Sequence, residues 1–363
     1  MNAPEVAVPP GFRAISEFAA ARTAWPRGQQ PQLLRRAAEA FRARFKAAGT
    51  VAGVHSVDLV TAAYPASFAF HDAAWALNPL PAICNRLVLV RFTDCAGQSR
   101  LLAWEPTIPQ GSAQAPFFAN LIRRFGEFLS WRVFTTEFNT LEQALAKAGV
   151  KADEVDYVAF DHFHVQDLRM LLGTKDGSVP PKFPRARLLC LAQELDTLRS
   201  PHPMQHAWYV PHGADGIDPA KVLFLPGDVE LGRGVALVAT PGHTDGNMSL
   251  VLNTDDGVWV TSENGVAIDN WQPELSRIPG VRGYSRFYSR EVVLNANTQE
   301  DPLDQYNSMV LEKALADSSR RDPRFKQILP SSELLPWLRN WPCRPALFQG
   351  EIRYGTLAPS ARA

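Results

Sequence analysis

Strand-type apolar runs gather in two separate parts of this chain, and that division constrains its fold more than any other feature. "VHSVDLV", "SFAFH", "RLVLVRF" and "RLLAWEP" fall within residues 51–105, while "VALVAT", "MSLVLN" and "GVWVTS" fall within 235–262. Such short runs, rich in β-branched or aromatic residues and bounded by turn formers, are the pattern of buried or half-buried strands. "TDCAGQ" (93–98) and "TDDG" (254–257) separate neighbouring runs as hairpin turns do. Helical patterns lie around and between the clusters. Leu34, Ala38, Phe41 and Phe45 form one apolar face over about 31–48, stopped by Gly49. In "NTLEQALAKAG", Thr140 and Gln143 form a capping box, Leu141, Ala144, Leu145 and Ala148 the apolar face, and Gly149 the stop. "RRFGEFLSWRVF" (123–134) reads as a helix with an adjoining segment. "VDYVAF" (155–160) and "RLLCLA" (187–192) read as strands, with the helix-like "QELDTLRS" after the second. Residues 270–325 read as helical and irregular, and "QILPSSELLPW" (327–337) as a last short apolar segment. The expected organisation is an arm and amphipathic helix over 1–50, a principal domain over 51–345, and a loosely held tail over 346–363.

Lys and Arg (37) balance Asp and Glu (37), so no global field draws in nucleic acid or an anionic membrane. The basic face of "RRAAEAFRARFK" (35–46) is either solvated or a partner-binding face. No run approaches the 18 apolar residues of a spanning helix, and "MNAPEVAVPPGF" lacks a basic start followed by an apolar run. Cys84, Cys95, Cys190 and Cys343 stand far apart, as reduced thiols of a cytoplasmic protein do. The expected partner is a small-molecule substrate, without nucleic acid or membrane, and with a homo-oligomer possible.

The chemistry-bearing residues sit where strand patterns end. "VDYVAF" runs into "DHFHVQD" (161–167), "VALVAT" into Pro241-Gly242-His243, and "VTS" into Glu263. Alternate residues of extended backbone point to one side, so His162 and His164 can aim two imidazoles at one ion. Catalytic zinc typically keeps three protein ligands and one water, a need that His162, His164, His243 and Glu263 can meet.

"HFHVQD", "TPGHTDGNMSLVL" and "VWVTSENG", in that order and spacing, resemble the metallo-β-lactamase superfamily, and the resemblance covers about 51–340. It implies an α/β (α+β) chain folded as a four-layer αββα sandwich, here with an N-terminal helical extension, and a metal at one edge of the sheets. It also implies that His162, His164 and His243 keep the three imidazoles of the family's first metal. Gln166 stands where an Asp ligand of the second metal belongs, Asp167 where its His belongs, and Glu263 at the bridging position. "LPSSE" is similar to the family's Pro-x-His end, with Ser332 in the place of the last histidine. This pattern implies one zinc ion per chain and hydrolysis of an ester, lactone or amide-like substrate. Gln166 cannot take a proton, so Asp167 or Glu263 must serve as the catalytic base.

Several roles stay open at this level. Glu263 is either a ligand or a hydrogen-bond partner of a ligand histidine. Asp167 reads as base, ligand or structural acid, and Asp161 as an ion-pair partner, with Arg169 close in sequence. His202, His206 and His212 match no ligand motif and suit a lid or surface. Two rival readings are an iron oxidoreductase resembling persulfide dioxygenases, using His162, His243 and Glu263, and a metal-free binding or scaffold protein.

Overall fold

A computed structural model describes residues 6–296 and 302–358, and shows two β-sheets packed face to face between outer layers of helices. One sheet runs in the order Arg13–Ala14, Val229–Gly232, Val235–Ala239, Met248–Thr254, Gly257–Ser262, Ile328–Pro330. The other runs Arg353–Gly355, Gly53–Ala63, Ala82–Thr93, Ser99–Trp104, Tyr157–Ala159, Arg187–Cys190, Val222–Phe224, and Ser332–Leu334 also pairs with Ala82–Thr93. The two clusters of apolar runs thus become the centres of two different sheets.

Strand alternation builds the layers. Val88, Val90, Leu102, Trp104 and Leu189 point inward and meet Leu237, Leu250 and Leu252 of the facing sheet. Their neighbours Leu87, Leu89, Leu101, Ala103 and Val158 point outward, onto Leu141, Leu145, Leu171 and Leu195 of three helices. On the far side, Ala236, Val238, Val251 and Val260 pack against Phe41 and Phe45 of Gln30–Ala47 and Met309 and Leu311 of Pro302–Leu315. A one-residue slip would exchange these faces, so burial on both sides holds the register. The four-layer αββα sandwich expected above is the fold observed.

Local signals settle most element ends. The helix Leu141–Ala148 carries its capping box, with Thr140 Oγ1 accepting from Gln143 N (3.2 Å) and Gln143 Oε1 from Thr140 N (2.9 Å). Gly149 closes it in the left-handed conformation (φ 69°), where a Cβ is unfavourable. "RRFGEFLSWRVF" is not one helix with an extension but parts of two, Pro116–Phe125 and Glu127–Phe134, broken at Gly126 (φ 80°). "SFAFH" forms a single helical turn, Ala66–Ala69, instead of extending the strand cluster. The tail is not loose where it is described: Arg353–Gly355 pairs with Gly53–His55, and Leu357 O accepts from Arg91 Nε at 2.9 Å.

The topology places one set of strand ends together. Tyr157–Ala159, Val235–Ala239, Gly257–Ser262 and Ile328–Pro330 are followed by His162, His243, Glu263 and Ser332 respectively. Met248 N donates to Asp161 O at 2.8 Å, tying the first of these loops to the opposite sheet.

Candidate metal centre

His162, His164 and His243, all buried, converge at this edge, with one ring nitrogen of each within 4.8 Å of the others. Their ring centroids lie 4.4 Å (162–164), 4.6 Å (162–243) and 5.2 Å (164–243) apart. Asp161, His162 and Glu263 form a second group of the same tightness. Among the described residues these are the groups that could hold a metal, and they share His162. Glu263 therefore sits beside His162 and Asp161, not as a fourth member of the imidazole trio. The combination of His162, His243 and Glu263 expected for an iron site does not form such a group either.

Hydrogen bonds orient the imidazoles. His162 Nδ1 lies 2.5 Å from Asp161 Oδ1, and His243 Nδ1 lies 3.1 Å from Asn295 O. With Nδ1 committed in both rings, Nε2 is the nitrogen left for an ion, as in metal sites that fix the tautomer from behind. Burial disfavours a charged His162, but the adjoining Asp161 carboxylate outweighs it and lifts the imidazole to about 9. Burial, with His162 alongside, pushes His243 down to about 3 and His164 well below the usual range. Burial pushes the Glu263 carboxyl up to about 7, although His162 and the Ser332 hydroxyl favour its charged form. Three imidazoles, two of them braced by an oxygen acceptor, are a donor set that suits zinc.

Asp161, expected in an ion pair, has His162 as its partner and orients that ring. Asp167, expected among base, ligand and structural acid, is the one paired with Arg169: Oδ2 accepts from Nη2 at 2.7 Å and Oδ1 from Nε at 2.9 Å. Asp167 also caps the helix Leu168–Leu172, accepting from Arg169 N at 3.2 Å. It backs onto Gly111, where any side chain would meet its Cβ at 2.9 Å. Neighbouring residues of a turn diverge, so Asp167 leaves the site while Gln166 enters it.

The cleft above the histidines encloses about 990 Å³ when its solvent-open mouth is included. Glu105, Thr107, His162, His164, Gln166, Glu263 and Ser332 supply its polar end. Gln166 Nε2 donates to Thr107 Oγ1 (2.9 Å) and Ser332 Oγ to Glu263 Oε2 (3.0 Å). The two residues at family second-metal positions that reach the cleft are thus engaged with neighbours. Glu333, next to Ser332, pairs with the buried Arg86 at 2.8 Å and anchors the strand that presents it. Trp208 is buried and also forms part of the cleft wall. His206 and His212 border a different hollow with Arg199 and Asp215, and His202 accepts from Met204 N at 3.2 Å.

Three supporting acids were not singled out from sequence. Glu194 accepts from Phe163 N (2.7 Å), Tyr209 OH (3.0 Å) and Thr244 Oγ1 (2.6 Å), joining the His162 and His243 loops. Glu312 accepts from Ser249, Ser262 and Asn264 at one oxygen and Trp271 at the other, all at 2.7–2.8 Å, holding the turn that leads into and out of Glu263. Glu105 Oε1 accepts from Asp161 N at 2.7 Å, from a backbone with φ 56°. Burial and the nearby Asp161 push its carboxyl well above the usual range. Glu194 and Glu312 had a readable signal: each acid stands on the apolar stripe of its helix, beside Leu195 and Leu198 in one case and Met309 and Leu315 in the other. Glu105 had none.

No family model matches the chain. Among solved structures it is similar to a probable metal-dependent hydrolase from Staphylococcus aureus, at 12% identity over 72% of this chain and 84% of that one (TM-score 0.48). It is similar to the hydrolase AbOPH of the beta lactamase superfamily at 16% identity, over 80% of this chain and 89% of that one (TM-score 0.47). It is similar to AidC, a dizinc quorum-quenching lactonase, at 14% identity over 87% and 97% (TM-score 0.45). The architecture rests on the sheets and layers described above: the chain has the αββα fold that its resemblance to the metallo-β-lactamase superfamily implied, with the histidine trio at the sheet edge.

Proposed function

We propose that this chain is a metallo-β-lactamase-fold hydrolase with a single zinc ion held by His162, His164 and His243. One observation carries the reading: three buried imidazoles converge behind the polar end of an apolar cleft lined by His162 and His164, with His162 and His243 oriented from behind by Asp161 and Asn295. Zinc bound there supplies Lewis acidity and lowers the pKa of a bound water toward about 7. Glu263, in contact with Ser332 and adjacent to His162, takes the proton of the attacking water on its carboxylate. Asp161 keeps His162 in the tautomer that presents Nε2. Gln166 and Thr107 bind each other, so no acid stands at the Gln166 position. The substrate is an ester, lactone or amide-like molecule with an apolar portion, matched to the cleft walls.

Elemental analysis of protein dialysed exhaustively without added metal should give about one zinc per chain. A ratio near two, or no metal, would overturn the mononuclear reading. Hydrolysis should then be sought across short-chain esters and lactones. In that assay Glu263→Gln is expected to lower turnover by about 10²–10⁴-fold while retaining the metal. A loss of metal as well would make Glu263 a ligand.

Asp167→Asn provides the opposite test. Because Asp167 serves the helix start and Arg169, the variant should hydrolyse within about twofold of the parent and lose at most about 1 kcal/mol of stability. A steep fall in turnover with unchanged stability would return Asp167 to the chemistry.

A further inference from the structure

Two helices lie over the cleft, Pro116–Phe125 and Glu127–Phe134, and the second is apolar on both sides. Phe118, Leu121, Ile122, Trp131 and Phe134 line the cleft. On the outer side Phe128 is 79% exposed, and Leu129 and Val133 are exposed as well. A surface helix that covers a pocket ordinarily turns a polar face to water. Here the apolar face continues onto the next segment. Arg339 Nη1 donates to Val133 O (3.1 Å), and Trp337 packs edge-on to Phe138 at 5.9 Å. Leu338 beside them is 83% exposed. Asn78 Nδ2 donates to Arg339 O (3.1 Å), which brings in Leu77 and the 65%-exposed Trp75. Contiguous exposed apolar surface of this kind marks a surface that something covers.

The charges around it indicate what. Arg123, Arg124, Arg132 and Arg339 fringe the patch, and none of them enters an ion pair among the described residues. Glu127 and Glu137 are the acids of the same segment, so the fringe is net positive although the chain as a whole is neutral. A second copy of this chain would bring the same fringe against itself, since a two-fold interface is self-facing. An anionic lipid surface would attract it, by roughly fivefold in affinity for each basic residue near the headgroups. Exposed Trp and Phe with flanking Arg are also the composition of segments that lie in a membrane interface. No helix among the described residues is long and apolar enough to cross a membrane.

We infer that this face docks on an anionic lipid bilayer, and that the cleft behind it takes one apolar chain of an amphiphile from that bilayer. The helical pair then separates lipid from the histidines, and a chain passing along Leu121, Ile122 and Trp131 brings a polar end to His162 and Glu263. That the polar end is hydrolysed rests on the function proposed above; the docking does not.

The test uses the full metal-loaded chain and vesicles, without any activity assay. The chain should float with vesicles of equal phosphatidylcholine and phosphatidylglycerol, and bind phosphatidylcholine alone at least about tenfold less. Phe128→Ser with Leu338→Ser, both outside the cleft, should lower binding at least about tenfold, as should Arg123→Gln with Arg124→Gln and Arg132→Gln. Binding of the fluorescent fatty acid parinaric acid should persist in the Phe128/Leu338 variant and be lost in Leu121→Trp, which fills the cleft. Failure of the parent chain to bind anionic vesicles overturns the inference. So does a salt-insensitive dimer, seen by sedimentation, that the Phe128/Leu338 variant dissolves, because the patch is then the chain's own interface. Loss of zinc or of hydrolysis with vesicle binding intact would overturn only the earlier reading.

Discussion

Alanine at position 243 should empty the metal centre and leave the chain folded. His243 is fully buried, its Nδ1 is spent on Asn295 O, and its ring lies 4.6 Å from that of His162. With two imidazoles left, the site lacks the three protein ligands that hold a catalytic zinc. The expected fall in affinity exceeds the roughly 100-fold seen when only an orienting partner is lost. The cavity left by the ring costs about 2–4 kcal/mol. The fold tolerates this because the apolar clusters between and outside the sheets do not include His243. Metal competition titration measures the first effect, and circular dichroism with denaturant unfolding the second. Unchanged metal content would remove the trio as the site.

Glu194→Ala should have one of the larger effects on stability among changes outside the apolar core. The carboxylate is buried on the helix Ala192–Arg199 and receives the Phe163 amide and the Tyr209 and Thr244 hydroxyls. Alanine strands three buried donors, at about 1–3 kcal/mol each when no partner or water replaces it. Non-additivity and partial relaxation bring the expected total to about 3–5 kcal/mol. The helix cannot simply close the gap. Gly246 already meets the Glu194 backbone so closely that a Cβ there would lie 2.5 Å from Glu194 N. Metal affinity should fall with stability, by about 10–100-fold, because the same carboxylate joins the loops of His162 and His243. Burial raises the pKa of this carboxyl, which lessens the cost of a neutral replacement. Glu194→Gln keeps one oxygen for Phe163 and Tyr209, and its amide can donate to the Thr244 hydroxyl, so it should recover most of both losses. Equal stability of the alanine and glutamine variants in urea would remove Glu194 as an anchor.

Cap and turn chemistry was legible wherever it is local. The Thr140–Gln143 box, the Gly149 stop and the turn between Ala82–Thr93 and Ser99–Trp104 depend on residues within a few positions of each other. Gly126 sits within a helical pattern, yet the break into two helices on either side of it is decided by what they pack against. Val165 shows the limit more sharply. A β-branched residue disfavours φ 57°, and it is held there by its amide's bond to Trp208 O (2.7 Å), which is remote in sequence.

Motif spacing by itself determined that His162, His164 and His243 belong together, because a His-x-His pair and a Pro-Gly-His turn each follow a strand pattern and carry the family's order. The layered fold was implied by the resemblance to the metallo-β-lactamase superfamily, while the two clusters of apolar runs supplied the strands and not their layering. Only the tertiary structure decided what the acids do. Asp161, Asp167, Glu105, Glu194, Glu263 and Glu312 are interchangeable as letters, each able to be a base, a ligand, a cap or an anchor. A carboxylate's role is set by the donors and charges within hydrogen-bond reach, and those arrive from strands and helices far apart in the chain. Thr244 on Glu194, Asn264 and Trp271 on Glu312, and Ser332 on Glu263 make that choice. Of these, the contact between Ser332 and Glu263 exists only once the two sheets have closed on each other.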